Sequence, residues 1–111
     1  MSKYNSRRVS IDGYFFDSVR ESQRYSELKL MEKAGEISHL KIHPEFILQN
    51  GFIKNGKKYR NIRYIADFKY IKNGEIMIED VKSAGTKTEV YKIKRKIFEN
   101  KYQKLTIIEV F

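Results

Sequence analysis

Hydrophobic and polar residues in the first third of the chain predict a hairpin followed by a helix. Residues 8–16 carry apolar positions on both sides of Asp12-Gly13, a dipeptide typical of a two-residue turn between strands. Asp17 or Ser18 is suited to begin a helix, because its side-chain oxygen can accept a hydrogen bond from a free backbone N–H. The helix is expected to continue until Gly35, which can adopt the left-handed conformation that ends many helices.

The middle of the chain predicts strands. Residues 37–48 contain Pro44, which lacks a backbone N–H, so they predict an irregular or edge strand. Residues 59–71 predict one long strand. Asn73-Gly74 then predicts a tight turn into a second strand, residues 75–83, that pairs with the first.

The last part of the chain predicts a second helix and a final strand. A polar loop at residues 83–87 precedes a helix over Thr88 to Tyr102, and Leu105 to Val110 form the last strand. The apolar stripe of this helix is expected to consist of Val90, Ile93, Ile97 and Phe98. Helices and strands therefore mix along the chain, which predicts an α/β fold.

Length and composition restrict the class of protein. The 111 residues suffice for one domain, 1–111, with a thin core. A homodimer would bury more surface, so the sequence leaves dimerisation as an alternative. The chain has no cysteine, which excludes disulfides and thiolate zinc sites and agrees with a reducing cytoplasm. We see no signal peptide and no apolar run long enough to span a bilayer, so we expect a cytoplasmic protein without a membrane partner.

The charge of the chain indicates an anionic partner. Lys and Arg number 23 against 14 Asp and Glu, which gives a net charge of +9. Such an excess attracts polyanions, of which nucleic acid is the commonest in cytoplasm. Many small proteins are basic only for solubility. The net charge therefore indicates a nucleic-acid partner only together with a candidate site.

The predicted central hairpin carries the acids that could form such a site. Alternate residues of a strand face the same side, so Asp80 and Lys82 share one face at the end of the second strand. Asp67, on the first strand, lies among apolar neighbours, where a carboxylate needs a partner. The turn brings Asp67 and Asp80 toward each other, although the sequence does not fix the register. An Asp-x-Lys is also common on solvated faces of a chain with 33% charged residues.

Two carboxylates that are brought together favour a bound cation. Their mutual repulsion is usually relieved by a hard divalent ion. With oxygen ligands and no cysteine, magnesium or manganese is the natural choice. A neighbouring lysine could orient a water or stabilise negative charge on a phosphate.

Glu21 in the first helix is the third candidate acid. On a helix it shares a partly apolar face with Tyr25 and Leu28, so its carboxylate could turn toward the sheet. It could equally pair on the surface with Arg20 or Arg24. The helical pattern leaves both alternatives open.

The motif formed by these residues resembles that of the PD-(D/E)XK nuclease superfamily. That motif is a carboxylate followed, across a hairpin, by an acid-x-lysine, with a helical glutamate upstream. More closely, the chain is similar to a family of small phage-encoded proteins long filed as a domain of unknown function. The shared features cover nearly the whole chain and are Lys3-Tyr4-Asn5, Asp12-Gly13, Phe16-Asp17-Ser18, Glu21, Arg24-Tyr25, Ala34-Gly35-Glu36-Ile37, Tyr64-Ile65-Ala66-Asp67-Phe68 and Glu79-Asp80-Val81-Lys82.

The resemblance implies a restriction-endonuclease-like core, in which helices flank a central mixed β-sheet. It also implies that Asp67, Asp80 and Glu21 bind the metal, and that Lys82 positions the attacking water, so these four residues form the catalytic set. The chain departs from the motif in two places. Ala66 replaces the proline of the superfamily name, and Asp80 replaces the more frequent glutamate, which shortens its reach.

Basic residues around the predicted site suit contacts with phosphates. Each could also belong to a solvated helix face, and that interpretation is the stronger one for any single lysine. The expected nucleic-acid-binding residues are Arg7, Arg8, Lys87, Lys92, Lys94 and Arg95. Glu79, His39 and His43 are expected to be structural or surface residues.

The sequence thus predicts a metal-dependent endodeoxyribonuclease that hydrolyses phosphodiester bonds of DNA. By analogy with relatives of the fold, its substrate would be a branched or recombination intermediate. The first alternative is a non-catalytic nucleic-acid-binding or regulatory module with the same fold. A second alternative is a nuclease that acts on RNA, because basic residues attract both nucleic acids.

Overall fold

The computed structural model describes residues 8–83 and 87–111. Within these residues the chain forms two helices, α1 (Val19–Lys33) and α2 (Glu89–Lys101). The strands are β1 (Val9–Ile11), β2 (Tyr14–Phe16), β3 (Ser38–Ile42), β4 (Glu45–Gln49), β5 (Phe52–Lys54), β6 (Lys57–Tyr59), β7 (Ile62–Ile65), β8 (Phe68–Lys72), β9 (Glu75–Val81) and β10 (Ile107–Val110). Of the predicted polar loop, residues 84–86 lie outside the described residues.

The predicted hairpin and first helix are both confirmed. Strands β1 and β2 pair antiparallel, and Asp12 and Gly13 between them have φ of 54° and 82°, as a tight turn requires. Helix α1 begins after Ser18, whose side chain accepts a hydrogen bond from the backbone N–H of Glu21 at 3.1 Å. Gly35 follows the helix with φ of 80°.

The central sheet is mixed and contains four strands in the order β10-β9-β8-β3. Strand β9 pairs antiparallel with β8 through the predicted turn, where Asn73 and Gly74 have φ of 51° and 77°. Strand β10 returns after α2 and pairs parallel with β9. The described residues therefore form an α/β fold with a mixed sheet and two helices.

The prediction of a single strand over residues 59–71 was wrong, because the chain bends at Ala66 and Asp67. Strand β7 ends before this bend and pairs with β4 in a separate two-stranded sheet, while β8 joins the central sheet. The segment that pairs with this bend lies between β3 and β4, and it also bends, at His43 and Pro44, as the predicted irregular strand suggested. Pro44 has no N–H for a continuous ladder, and its carbonyl instead accepts from the N–H of Ala66 at 3.0 Å. The N–H of His43 donates to the carbonyl of Asp67 at 2.9 Å.

The predicted apolar stripe of α2 was half wrong. Phe98 is fully buried and Ile97 packs at the edge of the core, but Val90 and Ile93 are 61% and 55% exposed. The helix instead turns Tyr91 inward, seven residues and two turns before Phe98. The hydroxyl of Tyr91 donates to Glu109 on β10, so this ring is both packed and hydrogen-bonded.

The core has two parts, one on each side of the central sheet. The part against α1 includes Phe16, Leu28 and Phe68, and the part against α2 includes Phe98 and Ile107. Strand β9 contributes to both parts, because Ile78 faces α2 while Met77 and Val81 face α1. The predicted alternation of faces along this strand is therefore confirmed. No helix in the described part of the chain is long and apolar enough to cross a membrane.

Candidate active site

A cleft of about 600 Å³ lies where four elements converge. The beginning of α1, the bend between β7 and β8, the end of β9 and the beginning of α2 all contribute to its lining. Glu21, Asp67, Asp80 and Lys82, which come from three separate stretches of sequence, all line this cleft. The residues of the predicted catalytic set thus lie together, although their roles stay predictions.

Glu21 turns inward from the first turn of α1. The residue is 6% exposed, and its Oε1 lies 2.8 Å from Nε2 of His43. The two arginines that could have held it on the surface have other partners. Arg24 binds Glu79, and Arg20 lies 3.7 Å from Glu27. The inward alternative of the sequence prediction therefore describes Glu21.

Asp67 lies at the bend, and its carboxyl group is held close to two other acids. Its Oδ2 accepts a hydrogen bond from the backbone N–H of Val81 at 2.6 Å. Burial and the neighbouring carboxylates of Asp80 and Glu21 raise the pKa of Asp67 to about 8, against the opposing effects of Val81 N–H and Lys82. The structure also fixes the register that the sequence left open. The last ladder pair is Phe68 with Glu79, so Asp67 comes opposite Asp80.

Asp80 and Lys82 form a fixed pair at the end of β9. The Nζ of Lys82 lies 2.9 Å from Oδ1 of Asp80, while the Tyr64 hydroxyl donates a hydrogen bond to Oδ2. The same Nζ lies 3.5 Å above the ring centroid of Tyr91, a close cation–π contact. Burial and the negative charge of Asp80 raise the pKa of Tyr64, so its hydroxyl stays a proton donor. The ammonium group is thereby held in one place.

Among the described residues, Glu21, His43 and Asp67 form a group that could hold a metal ion. Each offers one ligand atom, and these atoms lie within 4.8 Å of one another. Asp80 belongs to the same cleft but not to this group, and both of its oxygens have partners in Tyr64 and Lys82. Carboxylate oxygens suit magnesium or manganese, and the imidazole nitrogen favours manganese of the two. The donor set therefore fits a hard divalent cation.

The expectation for His43 as a structural or surface residue missed its place beside Glu21. His43 is a non-glycine residue with φ of 52°, at the bend that Pro44 enforces. Positive φ is uncommon for a non-glycine residue, although histidine adopts it more often than most, and His39 has φ of 55° as well. The only sequence signal was a histidine directly before a proline inside an apolar strand pattern, which is weak.

The predicted nucleic-acid-binding residues occupy different surroundings. Lys94 lines the cleft, whereas Lys87 and Arg95 both bind Glu109, each at 2.7 Å. Lys92 pairs with Glu89 at 3.3 Å, and Arg8 is exposed beside the ring of Phe15. Arg7 lies outside the described residues.

Comparison with known protein families identifies one match, over residues 1–110. The chain belongs to the family described as "Protein of unknown function (DUF1064)". No curated protein and no solved structure matches the chain. Because the DUF1064 description assigns no activity, the function has to be argued from the cleft.

Two further basic residues of this DUF1064 chain line the cleft, and sequence reasoning did not select them. Arg20 comes from the first turn of α1, and Arg63 comes from β7. Together with Lys94 they add positive charge to a lining that also contains Glu21, Asp67 and Asp80. Positive charge in a cleft attracts anions.

Proposed function

We propose that this chain is a metal-dependent endodeoxyribonuclease with a PD-(D/E)XK-type site in a restriction-endonuclease-like core, encoded by a phage. The observation that carries the proposal is the accumulation of Glu21, Asp67 and Asp80 in one cleft, beside the fixed ammonium group of Lys82. The mixed sheet with a helix on each face, and a hairpin that carries Asp67 and Asp80-x-Lys82, supports the same superfamily.

The charge balance of the cleft supports a metal requirement. Burial and repulsion from Asp80 and Glu21 raise the pKa of Asp67, and the ammonium group of Lys82 is paired with Asp80. Ionising all three acids at neutral pH therefore costs free energy unless a cation joins them. A bound magnesium or manganese ion would supply Lewis acidity toward a phosphate oxygen and a more acidic water.

The chain's own residues are suited to the remaining tasks of hydrolysis. Water attacks phosphorus, the bond from phosphorus to the leaving sugar oxygen breaks, and that oxygen takes up a proton. Negative charge grows on the phosphate oxygens during this step. Lys82, held between Asp80 and the ring of Tyr91, presents a positioned positive charge for these oxygens. Such a charge needs no reorganisation when the reaction occurs.

Residues on the rim of the cleft would hold the flanking nucleotides. Arg20, Arg63 and Lys94 line the cleft beside its acids and suit the phosphates on either side of the cleaved bond. The first turns of both helices also contribute to the lining, and helix N-termini attract anions. These contacts would fix the scissile phosphate close to the carboxylates.

Incubation of the purified chain with supercoiled, linear and branched DNA tests the proposal. We expect cleavage with magnesium or manganese and none with chelator. Asp80→Ala should abolish cleavage while DNA binding is largely retained, and Glu36→Ala, at an exposed acid outside the cleft, should cleave like the original chain. Competition with RNA of the same sequence would show which nucleic acid is preferred.

Two outcomes would contradict the proposal. If all three DNA forms stay intact with either metal, the chain is not a nuclease of this kind. If DNA binding is strong, steeply dependent on salt and indifferent to metal, the non-catalytic alternative replaces it.

A further inference from the structure

The β5–β6 hairpin stands apart from the packed part of the molecule. Every residue from 49 to 63 is exposed, and neither hydrophobic core includes a residue of β5 or β6. We call residues 51–61 the basic arm. An element without buried side chains contributes little to the free energy of folding. The conformation of this hairpin must therefore be maintained by its own turn and cross-strand contacts.

The basic arm lies in a stretch of uniform positive charge. Between Glu45 and Asp67 the chain has five Lys or Arg residues and no Asp or Glu. Arg63 is the one of these with an ion pair in the described residues, to Glu45 at 3.0 Å. The positive charges of Lys54, Lys58 and Arg60 are therefore available to an external anion.

The conformation of the arm is fixed by its turn, by a stacked pair of rings and by a close backbone crossing at its base. Asn55 and Gly56 have φ of 52° and 74°, the two positive values that a type I′ turn needs. Phe52 and Tyr59 stack across the hairpin with ring centroids 4.6 Å apart and planes within 13°. At the base, a Cβ on Gly51 would lie 2.7 Å from the carbonyl oxygen of Tyr59, so only glycine allows this close crossing.

The arm continues directly into the candidate active site. Strands β4 and β7 lead into and out of it, and β7 ends at the bend that carries Asp67. A groove of about 830 Å³ along the arm is lined by Lys58, Arg60 and Arg63, among others. Arg63 lines both this groove and the acidic cleft, so the two surfaces are contiguous.

We propose that the basic arm is a DNA-binding element that holds the backbone of a duplex beside the cleft. The proposal rests on the proposed function, because it extends the substrate's path from the cleft along the arm. A two-stranded β-ribbon fits the major groove of B-form DNA, and side-chain cations on its edges then reach phosphates on both sides. The stacked rings of Phe52 and Tyr59 keep the ribbon in one shape, which reduces the entropy lost on binding.

Charge favours DNA over the other occupants of such a surface. A second copy of the chain would bring an identical positive arm and a net charge of +9, which repel. The exposed apolar side chains of the arm are Ile53 at 73%, Phe52 at 44% and Tyr59 at 39% exposure, and they are interspersed in the sequence with cations. A polyanion matches this surface better than an apolar protein groove.

Binding of a fluorescent DNA duplex, followed by anisotropy in chelator, tests the proposal without any cleavage. The arm variant combines Lys54→Gln, Lys58→Gln and Arg60→Gln. The control combines Lys33→Gln, Lys72→Gln and Lys104→Gln, exposed lysines outside the arm and the cleft, so that net charge changes equally. We expect the arm variant to lose at least about tenfold in affinity and about 2–3 units of the log–log salt slope, since each lost phosphate contact removes nearly one unit.

A charge-preserving variant separates charge from folding. Lys54→Arg, Lys58→Arg and Arg60→Lys together should bind like the original chain, and all variants should share its unfolding temperature. The proposal is overturned if the arm variant and the control lose affinity for DNA equally. It is also overturned if the arm variant loses affinity for an RNA duplex but not for a DNA duplex. It is also overturned if Ile53→Ser disrupts a dimer of the chain while the arm variant binds DNA normally.

The result is independent of the nuclease assay. If the arm variant loses affinity but the original chain never cleaves DNA, the nuclease proposal fails and the arm stays a DNA-binding element. If the chain cleaves DNA and the arm variant cleaves it with an unchanged KM, the arm proposal fails alone.

Discussion

Glu79 and Asp80 are neighbours on β9, yet the charge around them is balanced in opposite ways. Glu79 faces α1 and is 1% exposed, and both of its oxygens bind Arg24, at 2.8 and 2.7 Å, with a further hydrogen bond from Tyr70. Asp80 faces the cleft and is 6% exposed; it pairs with Lys82, and Asp67 and Glu21 line the same cleft. A buried acid with its own cation serves the fold, whereas a buried acid in excess of cations indicates a site for an external one.

The largest expected effect comes from removing one charge on the cleft side. Asp67→Asn keeps an oxygen for the N–H of Val81 but removes a carboxylate from the proposed metal site. We expect cleavage to fall by about a thousandfold or more, because several kcal/mol of transition-state stabilisation are lost. The unfolding temperature without metal should be unchanged or higher, since repulsion from Asp80 and Glu21 is relieved. A large fall in stability would show that Asp67 is a structural acid.

Removing the cation that pairs with Glu79 on the α1 side should lower the stability of the fold. Arg24→Ala leaves the Glu79 carboxylate buried without its cation and should lower the free energy of unfolding by roughly 3–5 kcal/mol. Urea denaturation measures this change. The double variant Arg24→Met with Glu79→Gln should recover much of the loss. If Arg24→Ala were as stable as the original chain, the contrast between the two acids would disappear.

His43 offers a smaller test of the cleft. His43→Gln removes the imidazole nitrogen 2.8 Å from Glu21, and we expect manganese affinity to fall by about 10–100-fold. Isothermal titration calorimetry measures the affinity directly. His39→Gln, at an exposed histidine of the preceding strand, is the matched control and should bind manganese like the original chain. Equal losses in the two variants would remove His43 from the metal group.

The pH dependence of stability should give the most specific effect. Burial and nearby carboxylates raise the pKa of Asp67 from 3.8 to about 8 in the folded chain, so folding favours its protonated form. This contribution to stability is complete below the unfolded pKa and is lost as pH rises toward 8, by at most about 1.4 kcal/mol per pH unit. Urea denaturation without metal should show the loss in the original chain and a flatter profile in Asp67→Asn. Added manganese should restore stability most above pH 8, where Asp67 has largely lost its proton and a cation need not displace one.

Local signals in the sequence were sufficient for the elements that depend on short-range contacts. Asp12-Gly13, Ser18 and Asn73-Gly74 predicted a hairpin, a helix start and a turn that the structure confirms. Turn and cap residues act on their immediate neighbours, so their effect can be predicted without knowledge of the fold. The strand pattern of residues 59–71 failed because the bend at Ala66 and Asp67 is hydrogen-bonded to the segment His43-Pro44, which is distant in the sequence.

The sequence by itself determined that Asp80 and Lys82 share one face at the end of β9, because alternation along a strand is a local property. Only the tertiary structure decided that Glu21 turns inward, that His43 joins it at the bend, and that Lys87 and Arg95 bind Glu109. These contacts join residues far apart in the chain, and each depends on how α1, α2 and the sheet pack. The raised pKa of Asp67 is therefore a property of the assembled fold.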